Sequence, residues 1–276
     1  MRLTVRKRLI LFVVLPVSAI LLAVGGVMLS GLHRQLEQRA LEDAETLARN
    51  YAARIDAQIV AVMQIASSTA TALETSNDIT ERQMYDILGR NVARYPLVFG
   101  GAIAFQPHRY RPDRRLFSPY VCEDGRGGLR ELDIADSYDY DSPDHEWWWA
   151  ARETGEPRWS RAYFDEGAGD VVMTTFSVPF ERDGEFWGIA TVDIALETLE
   201  EIVGLDEMVG DAFVIVDDLG RFVAHPDPSR ILEDDLFTLA ESSHLPELVD
   251  AAHRMRSGDS GVVRLPDWRS GEGMIW

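Results

Sequence analysis

The sequence predicts an α+β protein in which long helices precede an antiparallel sheet. Three features of the 276-residue chain lead to this prediction: an uncharged apolar segment near the N-terminus, a long stretch without proline or glycine behind it, and then short apolar runs separated by turn residues. Helices followed by a series of strands are typical of α+β architecture, whereas strict alternation of the two would indicate a parallel sheet.

Residues 9–32 form the apolar segment, and none of them is charged. About 20 apolar residues in a helix span the hydrocarbon core of a membrane. The segment is also longer than the roughly 15 apolar residues of a cleaved secretory signal. Basic residues directly before it hold the N-terminus in the cytoplasm. We therefore expect a cytoplasmic head at 1–8, an uncleaved transmembrane helix at 9–32, and residues 33–276 on the outer side of the membrane.

The net charge and the cysteine count limit the possible partners. The chain carries a formal charge of −19, and its first 32 residues contain no acid, so the outer part is more acidic still. Such a surface excludes nucleic acid as a partner. The single cysteine, Cys122, permits no intramolecular disulfide. Because the nucleotide-binding, zinc-protease and hydrolase signatures are absent from the sequence, we expect no cofactor, no metal and no catalytic residue.

Residues 33–74 predict one long amphipathic helix, which we call the stalk. The stretch contains neither proline nor glycine, and its apolar residues recur every three or four positions. A stripe of this kind packs either against a second copy of the chain or against the flank of its own domain. A homodimer is therefore one expectation, and packing within one chain is the alternative.

Residues 75–203 predict a larger lobe. A capping box at Thr80 and Gln83 begins a helix that ends before Pro96. Beyond this helix the apolar pattern shortens to that of strands, with turn residues between them, as at Asp183 and Gly184. The predicted strands are 98–105, 115–121, 171–180 and 186–196.

A short tryptophan-rich helix interrupts these strands. We predict that it follows Asp141, with Ser142 or Asp144 as its N-cap, and that it ends at Gly155. Successive helical residues are rotated by about 100°, so three consecutive tryptophans at 147–149 cannot all face one cavity.

Residues 204–276 predict a smaller second lobe. A connecting helix near 196–203 leads into a strand, turn and strand at 211–226, a helical stretch at 233–256, a strand at 261–265 and a final hairpin. The final strand leaves a sheet edge without a partner, which proteins avoid. We therefore expect the natural chain to continue beyond Trp276 and complete the lobe.

Three motifs give the chain a family resemblance: W-S-x-x-Y-F-D at 159–165, V-P-F-x-x-D-G-x-F-x-G-x-x-x-x-D-I-x-L at 178–196, and G-x-x-x-x-H-P-D at 220–227. Together with the apolar segment and the stalk, they resemble the double Cache sensor domain of bacterial transmembrane receptors. The resemblance implies two PAS-like antiparallel sheets on one long helix, with a small ligand in the lobe distal to the membrane. It also implies a signal-input domain, without enzymatic activity, that precedes a serine phosphatase, histidine kinase, diguanylate cyclase or chemoreceptor output domain.

The resemblance also implies a ligand site. Relatives that bind amino acids have the pattern Y-x4-R-x-W-Y, then a tyrosine on the next strand and an aspartate in the D-I-x-L block. On this chain the pattern falls on Tyr140, His145, Trp147, Trp148, Tyr163 and Asp193. His145 replaces the arginine, and one imidazole cannot hold a carboxylate as a guanidinium fork does. An amino acid therefore fits only if Arg152, Arg158 or Arg161 turns inward.

The residues that recognise an ammonium group are present. Asp193 and Asp165 supply negative charge, and Trp147 or Trp148 offers an aromatic face to a cation. Each also has a structural alternative, since the aromatic residues can pack in the core and Asp165 can cap a turn. Asp193 is the strongest candidate, because a carboxylate in an apolar strand is costly without a partner. We predict an amine ligand, with an amino acid as the alternative.

Two other functions remain open from the sequence. A dimerisation module without a ligand would show no saturable thermal shift with small molecules. A secreted hydrolase would need a nucleophile beside a base, and no serine in the tryptophan-rich region has a histidine that we can assign to it. His225 and Asp227 fit a turn rather than a metal site.

The expected topology predicts the outcome of a reporter fusion. A reporter that is active only in the periplasm, fused near residue 80, should be active in cells, because the basic head keeps the N-terminus inside. A fusion of a cytoplasmic reporter at the same position serves as the control. Activity from the cytoplasmic reporter alone would contradict the topology.

Overall fold

The structure is a computed structural model. It describes residues 14–76, 78–198, 214–217, 219–225, 227–231, 233–244, 246–259, 261, 265–266 and 274–275. The predicted head at 1–8 and most of the connecting helix predicted at 196–203 lie outside the described residues. The chain divides into two units, residues 1–50 with 259–276 and residues 51–258, and the second unit contains the large sheet.

The first helix, α1, runs from Leu15 to Thr75 without interruption. The described part of the predicted anchor and the predicted stalk therefore form one helix. By length and composition its N-terminal part can cross a membrane, with a mean hydropathy of 2.1 over 18 residues. Its C-terminal part buries Val62, Ala66 and Leu73 in the core of the second unit. The boundaries predicted at 33 and 75 remain predictions.

The second helix, α2, spans Glu81–Arg94 and begins at the predicted capping box. The Thr80 N–H donates to Gln83 Oε1 at 2.9 Å, and the Gln83 N–H donates to the Thr80 hydroxyl at 3.4 Å. The helix ends one residue before Tyr95, whose extended conformation suits a residue that precedes proline. It buries Met84, Leu88 and Val92 on one face, as its apolar spacing predicts.

Seven antiparallel strands form one sheet in the order β3-β2-β1-β7-β6-β4, with β5 also pairing with β6. The four predicted strands are present, although the second begins at residue 119 rather than 115, and three short strands were not predicted. The strands are β1 Gly100–Phe105, β2 Pro119–Glu123, β3 Leu129–Asp133, β4 Arg158–Trp159, β5 Tyr163–Phe164, β6 Val172–Arg182 and β7 Glu185–Ala195.

The two faces of the sheet belong to two apolar clusters. Alternate residues of β7, such as Val192 and Ile194, pack with α1 and α2. The residues between them face the other way, where Ile189 and Ala195 pack with the tryptophan-rich helix α3, Glu146–Thr154. Asp193 lies on this second face because side chains alternate along a strand.

A tight hairpin joins β6 to β7 at the predicted turn, where Asp183 and Gly184 both have positive φ. Its arginine, Arg182, donates from Nε to the Leu73 carbonyl at 3.0 Å and from a terminal nitrogen to the Ser76 carbonyl at 3.2 Å. The Leu73 carbonyl belongs to the last turn of α1, where helix geometry leaves carbonyl groups without partners, and Ser76 directly follows the helix. The hairpin is thus fastened to the C-terminal end of the long helix.

The smaller region carries a hairpin of β8 Ile215–Val216 and β9 Phe222–Ala224. The stretch predicted as helical at 233–256 forms two helices, α4 Leu236–Ser243 and α5 Pro246–Arg256. Asp235 caps α4 by accepting from the Phe237 and Thr238 N–H groups. The predicted strand at 261–265 falls mostly outside the described residues, and β10 Leu265–Pro266 pairs with β11 Met274–Ile275.

Two glycine substitutions test the packing of the sheet. A Cβ at Gly188 would overlap the Ala104 carbonyl oxygen and approach the Phe105 Cα to 3.0 Å, so Gly188→Ala must push β1 and β7 apart. We expect a loss of at least about 2 kcal/mol in the free energy of unfolding. Gly89→Ala on α2 is the control, since its Cβ would meet Leu129 Cδ1 at an ordinary 3.6 Å. Chemical denaturation should show that variant as stable as the parent, or more stable by roughly 0.5–1 kcal/mol.

Candidate functional site

A cleft of about 780 Å³ lies against the second face of the sheet. Its walls come from the connection between β3 and α3, the first turn of α3, and the segment around β5. The lining residues are Ser137, Tyr138, Asp144, His145, Glu146, Trp147, Arg161, Ala162, Tyr163, Phe164, Asp165, Glu166 and Gly167. A concave site with aromatic walls and a few polar groups is the usual form of a small-molecule pocket.

The start of α3 differs from the prediction. The N-cap is His145, which makes no side-chain capping bond, whereas Ser142 and Asp144 were expected. Because the helix begins at Glu146, Asp144 lies one residue and Ser142 three residues before the cap, and the Ser142 hydroxyl donates to Asp144 at 3.3 Å. The helix ends at Gly155 in the left-handed conformation, as predicted.

The three tryptophans of α3 point in different directions, as the rotation of a helix requires. Trp147 lines the cleft, and its indole N–H is buried without a well-formed hydrogen bond to a described residue. Trp148 is fully buried away from the cleft and donates to Asp141 Oδ1 at 3.1 Å. Trp149 donates to the Ser142 carbonyl at 2.9 Å.

Tyr140 lies outside the cleft, although the resemblance placed it in the ligand site. It is fully buried, its hydroxyl donates to the Phe105 carbonyl at 2.7 Å, and it accepts from the Phe117 N–H at 3.1 Å. These bonds fix the β3–α3 connection to the ends of two core segments. The lining tyrosine from this connection is Tyr138, two residues earlier, which the sequence reasoning missed.

Asp165 is the buried carboxylate at the cleft. It is 3% exposed, and each oxygen accepts one bond, from the Tyr138 hydroxyl at 2.9 Å and from the Gly169 N–H at 2.7 Å. Burial raises its pKa, and the two hydrogen bonds act in the opposite direction. The predicted role of Asp165 as a turn cap is compatible with facing the cleft, because a carboxylate oxygen accepts more than one bond.

Asp193 lies one layer deeper and does not line the cleft. It is 2% exposed, and its Oδ1 accepts from the Thr175 hydroxyl at 2.8 Å. The same hydroxyl is 2.8 Å from the hydroxyl of Tyr163, which does line the cleft. A chain of two hydroxyl groups therefore connects Asp193 to the cleft. Burial raises the pKa of Asp193 to about 7, with a further increase from Asp165.

The place of the missing arginine is taken by a neutral group. His145 stacks on Tyr138 with ring centroids 4.5 Å apart, and burial lowers its pKa, so the imidazole is uncharged at neutral pH. Arg161 is the one arginine of the three candidates that lines the cleft, and it pairs with Glu146 at 3.3 Å. Arg152 pairs with Asp141 instead, and Arg158 is exposed on β4.

The lining of the cleft is acidic and aromatic. The lining contains a single arginine, Arg161, and four acidic residues, which are Asp144, Glu146, Asp165 and Glu166. The aromatic side chains are Tyr138, Trp147, Tyr163 and Phe164. Negative charge combined with aromatic faces suits a positively charged ligand. Among the described residues, no cluster of three histidine, cysteine, aspartate or glutamate side chains is arranged to hold a metal ion.

Comparison with known proteins identifies the family of the chain. Residues 84–201 match the family model of the methyl-accepting chemotaxis protein-like, first PDC sensor domain. No curated protein sequence matches the chain. The extracellular domain of the predicted histidine kinase soHK1S-Z6 is 30% identical, with a TM-score of 0.64 over 80% of this chain and 84% of that one.

Two further solved structures share the fold. The extracellular domain of the predicted histidine kinase mmHK1S-Z3 is 24% identical, with a TM-score of 0.68 over 83% of this chain and 84% of that chain. The sensory domain of the Campylobacter jejuni chemoreceptor Tlp3, with isoleucine bound, is 16% identical, with a TM-score of 0.51 over 76% and 81%. With the antiparallel sheet, the long helix and the cleft, these similarities mean that the chain belongs to the double Cache family of extracellular sensor domains of histidine kinases and chemoreceptors.

Proposed function

We propose that this chain is the membrane-anchored input region of a bacterial inner-membrane receptor and that its cleft binds a small cation, an amine in preference to an amino acid. The observation that carries the proposal is the buried Asp165 carboxylate at a cleft lined by four acids, four aromatic side chains and a single arginine. A cation that leaves water for this cleft regains charge interaction from Asp165 and contact with the aromatic faces.

The carboxylate of an amino acid finds less support. Arg161 stands at the edge of the cleft with its side chain 63% exposed and is already paired with Glu146. His145 is uncharged and stacked on Tyr138. A strong carboxylate site needs a desolvated guanidinium that is free to make two parallel bonds. An amino acid would have to break the pair between Arg161 and Glu146, which is why we rank it second.

Asp193 has a different place in the site from Asp165. It is separated from the cleft by the hydroxyls of Tyr163 and Thr175, so a ligand in the cleft meets Asp165 first. In its ionised form Asp193 adds negative potential from behind the wall. We therefore assign direct contact with the cation to Asp165, Trp147 and Tyr163, and a supporting role to Asp193.

A dimerisation module that binds no ligand is the second candidate. The exposed Leu36 and Leu47 on α1 favour it, since apolar side chains at helical spacing suit a helical partner. The two candidates are compatible, because a sensor can signal by shifting one stalk against another. In this proposal residues 33–74 form the stalk, 75–203 the distal ligand-binding lobe and 204–276 the proximal lobe, which leads to an output domain.

Charge removal at Asp165 tests the ligand class. In the full chain purified in detergent, Asp165→Asn should weaken tetramethylammonium and ethylamine binding at least about 30-fold, the equivalent of roughly 2 kcal/mol for a lost buried counter-charge. Asp113→Asn, in an exposed turn, is the matched control and should bind as the parent does. The measurement is calorimetry with these two cations, glycine and acetate. Acetate as the best ligand, or unchanged binding by Asp165→Asn, would exclude the cation site.

Cysteine crosslinking tests the dimeric stalk. Single cysteines at the exposed Leu36 or Leu47 should form disulfide-linked dimers in native membranes, whereas one at Ile55, which follows in the same predicted stripe but packs against the core of its own domain, should do so less. A cysteine at the exposed Arg54 is the control position. If Arg54 crosslinks as efficiently as the stripe, the stalk does not dimerise through this face.

A further inference from the structure

Asp193 is a buried carboxylate without a cationic partner. Its side chain accepts a hydrogen bond from Thr175, and no described lysine, arginine or histidine forms an ion pair with it. The buried hydroxyl of Tyr120 lies beside it and, like that of Thr175, favours the charged form of Asp193, but both donors are neutral and burial is the larger effect. An ionised carboxylate in such a place loses its hydration and receives hydrogen bonds only from neutral groups. Burial therefore favours its protonated form.

The titratable groups around Asp193 add no positive charge. Tyr120 and Cys122 face it from β2, and burial raises the pKa of both. Tyr163 and Asp165 face it from β5 and the residue that follows, and Tyr138 faces it from the β3–α3 connection. Arg130 of β3 interacts with Cys122 and Asp170 instead. On α3, Arg152 pairs with Asp141, and Glu146 pairs with Arg161 at the edge of the cleft.

The cleft is close enough to influence this group. Tyr163 lines the cleft and is hydrogen-bonded to Thr175, which in turn is bonded to Asp193. Asp165, also at the cleft, acts on Asp193 as a neighbouring negative charge. A cation beside Asp165 would offset that charge and favour the ionised form of Asp193.

We propose that Asp193 is a proton-binding site coupled to the cleft, so that a cation entering the cleft releases a proton from Asp193 to the solvent and binds more tightly as the pH rises. The effect is reciprocal by thermodynamic linkage. The factor by which the cation weakens proton binding at Asp193 is the factor by which the proton weakens cation binding in the cleft. The inference rests on the proposed function for the identity of the ligand, whereas the proton site itself stands without any ligand. The receptor would then respond to amine and to pH through one pocket.

The ligand-free protein tests the proton site. Burial raises the pKa of Asp193 from its ordinary value of 3.8 to about 7, so its stabilising contribution is present at low pH and is lost as the pH rises through that range. The amide of Asp193→Asn does not titrate, so the stability of this variant cannot change with pH through residue 193. We expect the melting temperature of Asp193→Asn, relative to that of the parent, to rise from about pH 4 to about pH 7 and to level off above that. Asp113→Asn is the control and should show no such change.

The pH dependence of cation binding tests the coupling. Tetramethylammonium is the probe, because its charge does not change with pH. Its affinity for the full chain should increase up to roughly tenfold between about pH 6 and about pH 8. Burial lowers the pKa of His145, so any contribution from its titration moves toward the acid end of this range and is unchanged by replacing Asp193. Asp193→Asn should remove the dependence, and Thr175→Val, which keeps the shape but removes the bridging hydroxyl, should reduce it.

The outcomes separate the two claims. If the difference in melting temperature between Asp193→Asn and the parent does not change with pH, the proton site is wrong, whatever the ligand. A pH-independent affinity in the parent, or a dependence retained in Asp193→Asn, would overturn the coupling. If tetramethylammonium does not bind at any pH while the melting curves diverge as expected, the coupling to a cation and the proposed ligand class both fail, and the proton site alone is supported.

Discussion

The alternation of side chains along the β6–β7 hairpin is the constraint on which the rest of the structure depends. One set of residues must be apolar, because it seals the sheet against α1 and α2. The register that pairs Thr175 with Asp193 then places both polar side chains on the opposite face, beneath the cleft. A shift of one residue in either strand would turn Thr175 and Asp193 into the core formed with α1 and α2 and turn its apolar residues toward the cleft side, so the core fixes the site.

Much of the fold could be predicted because it rests on local signals. The capping box at Thr80, the turn at Asp183 and Gly184, and the stop at Gly155 each specify a backbone conformation within a few residues. Strands β4 and β5 were not predicted, because each is only two residues long. Such strands have no periodicity of their own and exist only because β6 offers an edge to pair with.

The residues that line the candidate cleft were partly predictable from the sequence, but the depth at which each predicted residue lies was not. His145, Trp147, Tyr163 and Asp165 line one cleft, whereas Tyr140, Trp148 and Asp193 are buried behind it. Sequence spacing shows which face of a strand a residue occupies, but not how many layers of side chains separate it from solvent. Tyr138 and Tyr140 illustrate the limit, since both are tyrosines beside aspartates in an irregular segment, where no period shows which of them points to the cleft.

The strand that carries Asp193 also leads away from the cleft to the long helix. At one end of the hairpin, Thr175 and Asp193 stand behind the wall of the cleft. At the other end, Arg182 binds the last carbonyls of α1, and its guanidinium stacks 4.5 Å from Trp187. Burial lowers the pKa of Arg182, which marks it as a desolvated contact rather than a loose surface bond. The hairpin thus joins the polar pair behind the cleft to the C-terminal end of the long helix, so any ligand that moved β6 would also strain the Arg182 contact, because a packed sheet transmits strain.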